Sequence, residues 1–277
     1  MVLRFLAVLV MWWMCLSPLP LRAEEWRHTQ PEWRVLGRGL SFAEVRVLKD
    51  GQEVEKLALV KIDPMTNAFR VFHHAPAGIK DWQAEIQAPV VFNGSYYDPN
   101  GKPVGLILVD GKPLGPLKNP QMRGMFVAEP KGMSPDLPRA TILDLVHNPI
   151  NPQKLPWTQG VQSFPLLLDY KGRIRVGRSD KASHRTVIAL DRQGNILVFN
   201  TASAYFTLHN LARFLKASAF DIESALNLDG GSEAQLYIKT KDVQFFSPSD
   251  WESQLGTLLD RRQFLLPTVI GVFPRQE

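Results

Sequence analysis

Apolar and polar residues alternate along much of this chain with the period of two that gives a β-strand one buried face and one exposed face. The run Ser41 to Leu48 alternates around Phe42, Val45 and Val47, turns at Lys49-Asp50-Gly51, and returns through Leu57 to Ile62. Asp-Gly between two such runs predicts a hairpin, because both turn residues must accept positive φ. The same punctuation follows Leu106 to Val109 at Asp110-Gly111, and recurs at Asn100-Gly101, Lys171-Gly172 and Gln193-Gly194-Asn195. At the last of these, Thr186 to Leu190 is expected to pair with Ile196 to Phe199.

Two stretches switch to a helical reading. Trp82 to Gln87 predicts a short helix that leads into the apolar run Pro89 to Phe92. Thr207 to Ala217 predicts a better one, capped by Thr207, with Leu208, Leu211, Ala212 and Leu215 on one stripe and Arg213 and Lys216 toward its negative end. The proline-rich segment Pro116 to Pro156 reads as an irregular excursion, a lid or a rim. The expected class is α+β: a single domain built on a mainly antiparallel or mixed β-sheet with a few flanking helices.

The N-terminus changes the picture of where such a domain works. A positive start (Arg4), the apolar stretch Phe5 to Leu16, breaks at Pro18 and Pro20, and Leu21-Arg22-Ala23 before Glu24-Glu25 follow the order of a signal peptide. Residues 1–23 are therefore expected to be removed, and residues 24–277 to form the mature domain. About twelve apolar residues fall short of the ~20 that span a bilayer, so no stable membrane insertion is expected after cleavage. Cys15 is the one cysteine, so the mature chain has no thiol for a disulfide or a thiolate metal site. Export without cysteine suits a bacterial periplasm or secretion from a bacterium. The net charge of +5 falls to +3 without Arg4 and Arg22; with no basic tract, this suits small anionic ligands, and no nucleic-acid partner is expected.

Four polar groups share one layout, each at the end of an apolar run. Asn93-Gly94-Ser95-Tyr96-Tyr97 follows Val90 to Phe92, and either presents an amide and backbone N–H groups to a ligand or caps the strand. Asp98 to Gly101 resembles a fragment of a calcium loop, lacks its remaining acids, and reads as a hairpin turn. Gln162-Ser163 precedes Phe164-Pro165 and Leu166 to Leu168, at the start of a strand or in a loop. His184-Arg185 precedes Thr186 to Leu190: a titratable imidazole and a planar fork suited to phosphate, or a solvated edge. Asn227-Leu228-Asp229-Gly230-Gly231-Ser232-Glu233 ends a fourth run. Its glycine turn is either a plain tight turn or an anion-binding nest with a carboxylate at the rim. Strand ends in common would set all four along one edge of the sheet.

The order of these motifs resembles the phosphodiester glycosidase family over roughly Leu40 to Val272. The family pattern Asn-Gly-Gly-Phe-Phe looks like Asn93 to Tyr97, with Ser95 for the second glycine and tyrosines for the phenylalanines. Gln-Ser-Gly-Pro looks like Gln162 to Pro165, with Phe164 in the glycine's place. Arg-Thr matches Arg185-Thr186, and Asp-Gly-Gly-Gly-Ser is similar to Asp229 to Ser232, one glycine short. The resemblance implies a hydrolase that cleaves the glycosyl–phosphate bond of a sugar-1-phosphodiester in envelope glycan or exopolysaccharide metabolism, with no cofactor and no metal.

A phosphate monoester has a second pKa of about 6 and leaves without the protonation that an ordinary glycoside needs. On that reading Asp229 is the catalytic carboxylate and Arg185 stabilises the departing charge. Asn93, Gly94, Tyr96, Gln162, Ser163, His184, Gly230, Gly231, Ser232 and Glu233 bind substrate or support the turn, and Tyr96 or Tyr97 offers the sugar a stacking face. The alternatives are a non-catalytic periplasmic protein that binds a sugar phosphate or polysaccharide, and a metal-dependent phosphodiesterase using Asp229, Asp98 and His184.

Overall fold

A computed structural model describes residues 26–132, 136–248 and 265–276; the expected signal peptide lies outside the described residues. Within them the chain forms eighteen strands and two α-helices. The short strands β1 (Trp26–His28) and β2 (Arg34–Gly37) border the hairpin of β3 (Leu40–Lys49) and β4 (Gln52–Ile62). Asp50 and Gly51 make its turn with φ of 50° and 86°. Next come β5 (Asn67–Ala77), α1 (Ile79–Ile86), β6 (Val90–Asn93) and the small hairpin of β7 (Ile107–Val109) and β8 (Lys112–Leu114). β9 (Gly124–Pro130), β10 (Ala140–Asp144), β11 (Trp157–Ser163) and β12 (Leu166–Leu168) follow. The chain ends with β13 (Thr186–Asp191), β14 (Ile196–Thr201), α2 (Leu208–Ala217), β15 (Ile222–Asn227), β16 (Leu236–Lys239), β17 (Gln244–Ser247) and β18 (Leu266–Pro274).

The expected α+β class and the antiparallel pairing are seen, and every strand pair among the described residues is antiparallel. The single sheet is corrected to three: β1-β3-β4-β14-β13-β15-β12, with β2 also on β3; β10-β9-β11-β7-β8; and β17-β16-β6-β18-β5. One face of the first sheet (Phe42, Val60, Ile188, Val198, Leu226) packs into a shared core with Phe126 and Val161 of the second and Phe92 and Ile270 of the third. Its other face (Leu57, Leu59, Val187, Phe199) is covered by Leu211, Phe214 and Leu215 of α2. Central strands such as β13 and β14 are thus apolar on both faces. Helix α1 closes the outer face of the third sheet through Ile79 and Trp82.

Both helices form where the pattern places them, with one difference. Helix α2 starts at its Thr207 cap, whose hydroxyl accepts the Asn210 N–H at 3.2 Å. Helix α1 begins at Ile79, three residues before the expected Trp82. Its N-cap is Gly78, which has no side chain to announce a start, and Gln87 stops it by turning to φ 55°. The segment Pro116 to Pro156 is corrected from an irregular excursion to one that carries β9 and β10. Its prolines fall at or outside strand ends (Pro130, Pro138, Pro156), where a missing N–H costs no ladder bond. Among the described residues, no helix is long and apolar enough to cross a membrane.

Candidate active site

The four motifs meet at the junction of the three sheets, not along one edge of one sheet. Asn93 ends β6 in the third sheet and Ser163 ends β11 in the second. Arg185 immediately precedes β13 and Asp229 follows β15 by two residues, both in the first. Antiparallel strands from different sheets bring these termini together, so residues far apart in sequence share hydrogen bonds.

Asn93 is buried and acts as a clasp. Its Nδ2 donates to the Asp229 carbonyl at 2.9 Å, and its Oδ1 accepts the Gln235 N–H at 3.1 Å. The Gly94 N–H donates to the Thr268 carbonyl at 2.9 Å. A Cβ added at Gly94 would lie 2.7 Å from Thr268 Cγ2 and 3.1 Å from that carbonyl, so the close approach of β6 and β18 requires glycine. Ser95 Oγ donates to the Gln162 carbonyl at 2.5 Å. The Tyr96 hydroxyl donates to the Phe164 carbonyl at 2.7 Å and accepts from Asn227 Nδ2 at 3.0 Å. The Tyr97 hydroxyl donates to Glu233 Oε1, at 3.2 Å.

Gln162 and Ser163 are buried beneath this layer, at the end of β11 and not at the start of the next strand. Gln162 Oε1 accepts the Leu106 N–H at 2.9 Å and its Nε2 donates to the Met122 carbonyl at 3.1 Å. Ser163 Oγ donates to the Asn227 carbonyl at 2.8 Å. Gln162 thus ties two loops to the end of β11, and Ser163 ties that end to the end of β15. Asp98 closes its own hairpin turn, its Oδ1 accepting the N–H groups of Asn100 and Lys102 at 2.8 and 3.0 Å.

The glycine turn is arranged differently from an open nest. The Gly230 N–H donates to Asp229 Oδ1 at 2.9 Å, and the Gly231 N–H to the His184 carbonyl at 3.0 Å. Those amides therefore face their own chain. Gly231 has φ 74°, and Gly230 has the His184 carbonyl 3.0 Å and Arg185 Nη1 3.3 Å from where a Cβ would stand. Ser232 Oγ donates to Glu233 Oε2 at 2.9 Å.

Charge is concentrated here. Arg185 is 7 % exposed; its Nη2 donates to the Lys181 carbonyl at 3.0 Å, while its buried Nε has no partner among the described residues. Burial holds its pKa below the usual arginine value. Asp229 is partly buried, and burial, reinforced by the neighbouring Glu233 charge, pushes its pKa up to about 7. Burial also raises Tyr96, with the Asp229 charge adding to the shift and the Arg185 charge opposing it. Tyr97 is raised by burial and by Glu233, and both phenols stay neutral at physiological pH.

The sequence reading did not single out Asn227, which is fully buried and joins Tyr96 and the Phe164 and Leu228 carbonyls through Nδ2. Its Oδ1 has no partner among the described residues. An asparagine inside an otherwise apolar strand was the available signal. A cavity of about 350 Å³, lined by Gln30, Arg34, Glu44 and Lys56 among others, shares no residue with the four motifs.

The family model for phosphodiester glycosidase matches residues 87–273, leaving β1 to β5 and α1 outside it. Among solved structures, the catalytic domain of zebrafish N-acetylglucosamine-1-phosphodiester alpha-N-acetylglucosaminidase, auto-inhibited by its pro-peptide, is similar with 18% identity and a TM-score of 0.60. The match covers 90% of this chain and 88% of that one. A hypothetical protein from Synechocystis is similar with 17% identity and a TM-score of 0.54, over 89% of this chain and 64% of that one. No curated protein sequence matches this chain significantly.

Proposed function

This chain belongs to the phosphodiester glycosidase family, and from that premise we propose that it is an exported hydrolase that cleaves the bond between the anomeric carbon of a sugar and a phosphodiester oxygen. The observation that carries the reading is Asp229: a carboxylate with a pKa of about 7 on a glycine turn whose Gly230 lies against the buried Arg185 guanidinium. A general base works best when its pKa lies near the working pH. Ionised Asp229 takes a proton from water as the water attacks the anomeric carbon, and the sugar–oxygen bond breaks with its electron pair going to the phosphate.

Arg185 stabilises that growing charge. Its guanidinium keeps its proton despite burial, and its Nε–H has no protein acceptor among the described residues. Because the glycine amides are engaged within the chain, the arginine carries this role with little help from the turn. Asn93 and Gly94 hold the turn in place, Gln162 and Ser163 hold the layer beneath it, and Tyr96 and Tyr97 present neutral rings and hydroxyls to the sugar. His184 supports the turn through its carbonyl, which accepts the Gly231 N–H, and Ser232 and Glu233 continue it. Residues 1–23 act as the export signal, the mature domain works in a bacterial periplasm or outside the cell, and the substrate is a sugar phosphodiester of envelope glycan.

N-acetylglucosamine-1-phosphate methyl diester is the first probe, followed by the matching diesters of other common sugars. Release of free sugar by the wild type, abolished in Asp229→Asn and reduced at least about a hundredfold in Arg185→Lys, is the expected result. Binding without turnover across the sugar panel would identify a sugar-phosphate-binding protein, and undiminished turnover by Asp229→Asn would remove that residue from the mechanism.

A further inference from the structure

We propose that the alcohol on the far side of the substrate's phosphate is a long apolar chain, and that it lies in a groove walled by Gln162 at the end of β11; the inference rests on the phosphodiester reading and extends it to the other half of the substrate. The groove has a volume of about 490 Å³, within the range of small-molecule sites. Leu117, Met122, Val146 and Ile150 line it, with Lys118 and Arg123 beside them and Gln162 among its walls. Leu117 is 45% exposed and Val146 52%, so apolar surface stands open to water around a concavity rather than scattered singly.

The groove connects to the reacting centre through the end of β11. Gln162 borders the groove, and two residues on, the Phe164 side chain is 43% exposed. The Gln162 carbonyl accepts from Ser95 and the Phe164 carbonyl from Tyr96, both on the Asn93 to Tyr97 segment of the site. Phe164 also occupies the place of a glycine in the family motif. An exposed aromatic side chain therefore follows the groove's Gln162 wall by two residues.

The wall is held in place before any ligand arrives. Asp144 Oδ1 accepts the Val146 N–H at 3.0 Å, and its Oδ2 meets His147 Nδ1 at 2.9 Å and Arg175 Nη1 at 3.2 Å. A groove ordered in advance loses little freedom on binding. Apolar walls with two adjacent cations suit an amphiphile with an anionic head, and the substrate class that combines this with the glycosyl bond is a sugar phosphate carried on a lipid alcohol.

Isothermal titration with ethyl phosphate, octyl phosphate below its micelle concentration, and neutral octyl glucoside tests this without turnover. Octyl phosphate should bind about tenfold or more tightly than ethyl phosphate, since each buried methylene adds to affinity, and octyl glucoside should bind far more weakly than octyl phosphate. Val146→Ser and Leu117→Ser, both neutral changes at exposed positions, should erase the chain-length preference and leave ethyl phosphate binding unchanged. Equal affinity for the two phosphates would overturn the proposal, as would equal affinity for octyl glucoside or a preference that survives both substitutions. Capture by phosphatidylcholine vesicles without binding of monomeric octyl phosphate would make the groove a membrane contact instead and would also overturn it. A chain that prefers octyl phosphate but cleaves no sugar phosphodiester would fail the hydrolytic reading alone.

Discussion

At the scale of single residues, the conduct of Asp229 follows from where its charge has to sit. Burial and the Glu233 carboxylate both favour the protonated form, giving a pKa of about 7. If the ionised form is the base, kcat/KM should rise with pH through about 7 and level off above it. Glu233→Gln removes a like charge, so the rising limb should move to lower pH, which a pH–rate profile of both proteins would check. The same shift bears on stability. The folded chain holds a proton that the unfolded chain, with Asp229 near 3.8, releases between about pH 4 and 7. Stability from this group is therefore complete below about pH 4, declines as pH rises to 7, and changes no further above it. At about 1.4 kcal/mol per pKa unit, the loss is on the order of 4–5 kcal/mol at most. Asp229→Asn should thus be inactive yet raise Tm relative to wild type more at pH 8 than at pH 4, as calorimetry at both values would show.

At the scale of elements, the caps and contacts that shape the site are separable from its chemistry. Thr207→Ala removes the one side-chain cap of α2 and should cost about 1 kcal/mol in urea unfolding while leaving KM unchanged, because α2 covers the first sheet on the face opposite the shared core. Gly94→Ala should cost about 1–3 kcal/mol by overpacking and lower kcat as well, since Gly94 lies between Thr268 and the Asp229 N–H, which donates to its carbonyl at 3.3 Å. Hairpins and α2 were legible in the sequence because their signals are local: Asp50-Gly51 and Asp110-Gly111 fix turns, and Thr207 fixes a cap. The motif residues were legible as a set through their order. The roles of Gln162 and Ser163 were not, because Leu106, Met122 and Asn227, their hydrogen-bond partners, are distant in sequence. Asn227 was passed over for the same reason, and β9 and β10 were hidden by prolines that turn out to sit at strand ends.

At the scale of the whole molecule, three sheets meet at the strand ends that hold the candidate site residues, and no single sheet owns the site. The order β17-β16-β6-β18-β5 places the last strand of the chain between two of the earlier ones. A chain ended after Ser247 should therefore lose the partner of both β5 and β6, and with it the cooperative thermal transition, which circular dichroism of the truncated protein would detect. The position of β18 also carries a consequence for biogenesis. While a ribosome is still making this chain, β5 and β6 lack the strand that joins them, and the shared core lacks Ile270 and Val272. Closure of the shared core must therefore wait until β18 has emerged, long after the strands it joins have been made.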